Sequence, residues 1–291
     1  MSDNRPRSPD RKLSLIPTLS LVAGFAAILL AALIFRPAAK REAPPPPLPL
    51  PATSASVPAP LVAQEGVVNR TELIKEASAI AAAYAAGVQL PLQGKDPLAG
   101  QRFRVRVPFG CDGPQARGGP AQAFYEFDPD KRTIRLVARP ATWTALPLVQ
   151  ALPQASRIED VEGFWIPRPW SYSDACPPQR DQPVPASPTP PAGQTLGLAE
   201  LFDAGGSRVL RRGDRPYEQV LKLEKGEEPP TAQGYRMVLE GRFATYPDGR
   251  VARCWSESSD HQPICLYAVR LGRIAFEAAD DGKVLAEWRA E

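Results

Sequence analysis

The chain has 291 residues, 35 of them proline, with 35 Lys and Arg against 32 Asp and Glu and a formal charge of +3. Seven of those basic and four of those acidic residues fall in positions 1–65, which leaves 28 of each for the remainder. A part without net charge lacks the surplus of phosphate-neutralising side chains that nucleic-acid binding normally needs, so that class is set aside.

Residues 13–35 form a run of 23 without one ionisable side chain. A helix rising about 1.5 Å per residue needs about 20 residues to cross a bilayer core. A cleavable signal peptide has an apolar region of roughly 7–15 residues and a small-residue cleavage site, so the run predicts an uncleaved transmembrane helix. Arg5, Arg7, Arg11 and Lys12 precede it, and Arg36, Lys40 and Arg41 follow it. That bias favours a cytoplasmic amino terminus. Ala23, Ala27 and Ala31 give the small-xxx-small stripe through which two such helices approach, which points to a homodimer contact. With no charge inside the run there is no proton relay, and the helix reads as a tether.

The tract 44–60 holds eight prolines and reads as a polyproline II spacer reaching roughly 50 Å at about 3.1 Å per residue. A second cluster, 177–191, holds seven prolines and reads as an exposed loop or a linker between lobes. The resulting division is a cytoplasmic tail (1–12), a transmembrane helix (13–35), a proline-rich linker (36–65), a first α+β lobe (66–176), a proline-rich segment (177–194) and a hairpin-rich second lobe (195–291). The expected fold class is α+β, an anchored, β-rich, two-lobed domain with one long helix.

Asn69 followed by Glu72 has the spacing of a capping box, and 71–86 is alanine-rich with Gly87 behind it. The spacing predicts a helix with Leu73, Ile74, Ala77, Ile80, Ala81 and Tyr84 on its buried face. Residues 102–107 then alternate strictly, setting Arg102, Arg104 and Arg106 against Phe103, Val105 and Val107 as on a half-buried strand. That arginine stripe is either a solvated face or a contact for an anionic envelope polymer. Strands are expected at 124–127 and 133–137 around the turn 128–131, and at 161–166, while 143–152 fits no single period. Residues 196–202 read as a short helix, and 208–210 and 217–223 as extended. Two hairpins are expected, 235–246 with 251–256 around Asp248-Gly249, and 266–278 with 283–288 around Asp281-Gly282. The two Asp-Gly segments are alike, each followed by a Val and a Trp, and read either as a duplication or as similar turns.

The four cysteines lie beyond the apolar run in no CxxC pair. An even count on the translocated side of a membrane predicts disulfides. The proline cluster leaves two on each side, so Cys111 is expected with Cys176 and Cys254 with Cys265. The expected location is the bacterial inner membrane, single-pass, with the carboxy-terminal part in an oxidising periplasm. His261 is the only histidine and stands in a polar loop without a nucleophile signature, which leaves a hydrolase as the least favoured class. No metal-ligand cluster or phosphate loop is present, so no cofactor is expected. The densest unusual segment, 163–172, places Trp165, Arg168, Trp170 and Tyr172 together as a candidate binding face for an envelope protein or polymer.

The order of short tail, apolar run, proline spacer and terminal β domain resembles that of TonB-type energy transducers. Residues 242–251, Cys254, Ser258-Ser259, 273–276 and Gly282-Lys283-Val284 are similar to the strand, turn, Ser-Ser and strand order of that family's terminal domain. The likeness covers residues 236–288 and implies a periplasmic transducer or accessory. The apolar run has no histidine of the kind such transducers carry there. The preferred expectation is a non-enzymatic binding or structural module of the cell envelope, with the transducer as its alternative.

Overall fold

The computed structural model describes residues 66–88, 94–116, 121–178, 194–206, 211–213, 215–229 and 233–290. The expected transmembrane helix, linker and Ala23, Ala27 and Ala31 stripe lie outside them, as do most of the second proline cluster and the extended segment 208–210. Among the described residues no helix is long and apolar enough to cross a membrane.

The chain first forms β1 (Val67–Val68) and α1 (Arg70–Ala85), whose capping box is complete: Glu72 N–H donates to the Asn69 side chain and Asn69 N–H to the Glu72 carboxylate. There follow β2 (Arg102–Phe109), β3 (Ala123–Asp128), β4 (Thr133–Ala138), β5 (Ala141–Thr142), the one-turn helix α2 (Pro147–Gln150) and β6 (Ile158–Trp165). The remaining strands are β7 (Leu196–Asp203), β8 (Tyr217–Lys222), β9 (Tyr235–Phe243), β10 (Ala252–Trp255), β11 (Ile264–Ala278) and β12 (Val284–Arg289).

Among the described residues nine strands form the main sheet in the order β1-β2-β9-β11-β7-β6-β5, with β10 and β12 also pairing with β11. The expected two lobes therefore give way to one sheet, because β2 and β6 come from before the second proline cluster and β7, β9 and β11 from after it. β3, β4 and β8 make a smaller sheet. The alternation of β2 sends Phe103, Val105, Val107 and Phe109 to an inner face shared with Met237, Leu239, Ile274 and Phe276. On that face Leu73, Ile74 and Ala77 of α1 and Tyr125, Ile134, Leu136 and Tyr217 of the small sheet complete one continuous core. Tyr84 departs from expectation: it is exposed, since the last turns of α1 extend past the core toward Val88.

Two further expectations fail for identifiable reasons. Residues 196–202 are a strand, not a helix, because β7 lies between β6 and β11 and is buried on both faces from Leu196 to Glu200. A fully buried strand shows a continuous apolar run rather than alternation, and a short run of that kind is ambiguous by period. The Asp248-Gly249 segment is not a hairpin. β9 and β10 both run antiparallel to β11 on the same edge, at 269–278 and 264–267, so the chain makes an excursion at 245–250 and continues in its old direction. The hairpins in this part of the chain are β10–β11 and β11–β12, and of the two Asp-Gly segments Asp281-Gly282 closes one. The two similar segments thus do different work, which removes the duplication.

Both expected disulfides are present, Cys111 with Cys176 and Cys254 with Cys265. The second joins directly facing residues of β10 and β11.

Candidate functional site

The outer face of the main sheet has two unlike halves. Over β6, β7 and the first half of β11 it is apolar and covered: Trp143, Leu148, Val149 and Leu152 pack on Val161, Ala199, Leu266 and Ala268. The indole of Trp143 needs flat ground. A Cβ on Gly163 would stand 2.6 Å from it and 1.9 Å from the Leu198 carbonyl oxygen, and one on Gly197 would stand 2.8 Å from it.

The other half, over β2, β9, the second half of β11 and β12, is built from the residues that alternate with the core. Register puts Arg102 opposite Arg242, and Arg242 opposite Arg270, so three arginines cross three neighbouring strands in one row. All three are exposed. The next row is Arg104, Glu240 and Arg273, followed on β12 by Arg289. Here charges are matched: Glu240 lies 3.0 Å from both Arg104 and Arg273, Glu277 lies 3.2 Å from Arg104 and 3.1 Å from Arg106, and Glu287 lies 2.8 Å from Arg273 and 3.0 Å from Arg289. In the first row, among the described residues, no carboxylate comes within ion-pairing distance. Arg242 donates to the Gly100 carbonyl oxygen, at 3.1 Å. Like charges directly opposite one another destabilise a sheet, so the row costs stability for which the Gly100 hydrogen bond is a small return.

Six arginines, those of the row with Arg104, Arg273 and Arg289, line an open cleft of about 450 Å³ with Glu240, Gly241, Gly272 and Val67. Such a surface offers forked donors to phosphate or carboxylate oxygens. On the inner side, beside the row, sits Glu200, 5% exposed and paired in register with Val269. Burial pushes its carboxyl up from 4.5 to about 7, opposed by the charge of Arg270 and a hydrogen bond from the Leu271 N–H.

The stripe read from 102–106 is therefore split, with Arg104 and Arg106 engaged by acid and Arg102 belonging to the bare row. Arg242 and Arg270 were not singled out from sequence. Only strand register joins positions so far apart in the chain.

The aromatic segment is divided as well. Trp165 is half-buried, its ring 4.7 Å edge-on from Trp143. Arg168 is half-buried with a left-handed backbone, φ 52°. Trp170 and Tyr172 are 62% and 53% exposed on a loop that Arg70 pins. The buried Arg70 guanidinium donates to the carbonyls of Pro167, Arg168 and Ser171 at 2.6, 3.1 and 3.1 Å. Desolvation, then the nearby Arg168 charge, lowers its pKa to about 10.

His261 is exposed, with Nδ1 2.8 Å from the Ser258 hydroxyl and Nε2 4.0 Å from Glu257. A hydrolytic triad uses the two ring nitrogens the other way round, with the acid on Nδ1. Among the described residues no three His, Cys, Asp or Glu side chains are placed to hold a metal ion. Comparison of the chain with protein-family models, with curated proteins and with solved structures finds no match to any of them.

Proposed function

We propose that this chain is a membrane-anchored, non-enzymatic binding module of the bacterial cell envelope, whose globular part takes an anionic partner on the arginine face of β2, β9, β11 and β12. The observation that carries this reading is the row Arg102, Arg242 and Arg270, exposed and, among the described residues, with no carboxylate within ion-pairing distance. A local rule broken for a small structural return marks a functional position. Support for the location comes from the uncharged run 13–35 and from two disulfides, which persist in oxidising compartments. Trp170 and Tyr172 offer aromatic area, but the arginines supply the specificity for charge.

The test is retention of the detergent-solubilised full chain on immobilised heparin, used as a chemical polyanion. The variant Arg102→Gln/Arg242→Gln/Arg270→Gln is expected to elute at lower salt, with a shallower dependence of log affinity on log salt, by about 2–3 in slope. A control neutralising Arg132, Arg157 and Arg215 is expected to behave as wild type. Equal losses from both triples would overturn the reading.

A further inference from the structure

We infer that the arginine row docks the domain on the anionic phosphate headgroups of the membrane that holds the chain's own apolar run. The inference rests on the reading of this face as an anion-binding surface and names its partner.

The first support is where the undescribed chain ends. Residues 1–65 lead into β1, which pairs in parallel with β2 so that Val67 faces Arg102 and Val68 faces Phe103. Val67 also lines the cleft. The domain is thus attached to its tether beside the row, and 30 residues, 36–65, separate it from the end of the apolar run. The second support is charge. The three row arginines are exposed and, among the described residues, have no carboxylate within ion-pairing distance, and Arg36, Lys40 and Arg41 add cations of the same sign just beyond the run. The third is shape. Sites for small ligands are concave, mostly apolar and bury most of the ligand, whereas this one is open, polar and spread across three strands, about 10 Å at the usual spacing.

Each exposed arginine close to an anionic leaflet strengthens association about five-fold. Tethering makes that association intramolecular, so a contact too weak to recruit a free protein is enough to hold this one down. Because unburied charges are screened over about 8 Å at physiological ionic strength, the docked state is released by salt.

The test uses the full chain in nanodiscs of pure phosphatidylcholine or of phosphatidylcholine with phosphatidylglycerol, each containing a lipid with a photoactivatable headgroup, with crosslinked peptides identified by mass spectrometry. Crosslinks to 102–104, 240–243 and 270–273 are expected with phosphatidylglycerol. They should fall at least about ten-fold in its absence or in the triple glutamine variant. Should that variant not fold, Arg270→Gln alone is expected to lose about five-fold. Crosslinking that ignores phosphatidylglycerol, or that maps to β3 and β4 instead, overturns the inference. If the row is not crosslinked while the variant still loses heparin retention, lipid docking falls and the anion-binding reading stands; if neither readout responds, both fall.

Discussion

The two halves of the outer face belong to one sheet, share β11 and end in opposite surfaces. β11 shows the change along its own length. Its outward residues are Leu266 and Ala268 under the Trp143 cover, then Arg270 and Arg273 on bare sheet, then Ala275 and Glu277. At Leu266 and Ala268 a second layer lies on the strand. Where the outward residues are arginine, the strand keeps its backbone pairing, Arg270 stands exposed and Arg273 lies half-buried between Glu240 and Glu287. A sheet therefore needs only one apolar face to be stable, and the second is free to carry something else.

The comparison is broken most severely at Gly163, beneath the cover. Gly163→Ala puts a methyl into the Leu198 carbonyl of the neighbouring strand and into the Trp143 ring. A collision with backbone exceeds ordinary overpacking, which costs roughly 1–3 kcal/mol. The expected outcome is loss of a cooperative urea transition. A variant that unfolds at the wild-type midpoint would mean that the covered half does not depend on the indole lying flat.

Next comes the disulfide that organises the far end of the bare half. Cys111–Cys176 spans 65 residues and Cys254–Cys265 spans 11. In the chain-entropy account, losing the first costs about 4 kcal/mol and the second about 3 kcal/mol. The first also holds the segment where the Asp174 carbonyl accepts from Arg236 at 3.2 Å and its carboxylate lies 3.9 Å from Arg106. Cys111→Ser/Cys176→Ser is thus expected to be the less stable double variant in urea. It should also bind heparin more tightly, because an acid is released from the arginine face.

What was legible in the sequence follows from range. The capping box at Asn69 and the alternation of 102–107 are local signals, and both form as read. The cysteine pairing was legible because the proline cluster divides the chain into two pairs. The β7 strand was not, since burial on both faces erases its period. The arginine row was invisible because its members gain meaning only in register: Arg242 is unremarkable until Arg102 and Arg270 stand on either side of it.

The smallest expected effect lies at the border between the halves, at Glu200. Its carboxyl titrates near 4.5 when unfolded and at about 7 when buried. Below the lower value both states are protonated and the fold pays no penalty. Between the two, the unfolded chain releases a proton that the folded one keeps, so stability falls as pH rises and the loss is complete above about 7. At 1.36 kcal/mol per pH unit this amounts to roughly 3 kcal/mol. Glu162, its neighbour across β6 and β7, is also raised by burial and adds a loss of the same sign. Glu200→Gln is expected to flatten most of the decline between pH 4.5 and pH 8 in urea titrations, and to leave stability at pH 4 nearly unchanged. Arg270→Gln sharpens the point. Removing that cation takes away an attraction that favours the ionised carboxylate, so the decline should extend to higher pH. An unmoved decline would show that the bare half and the core beneath it are not electrostatically joined.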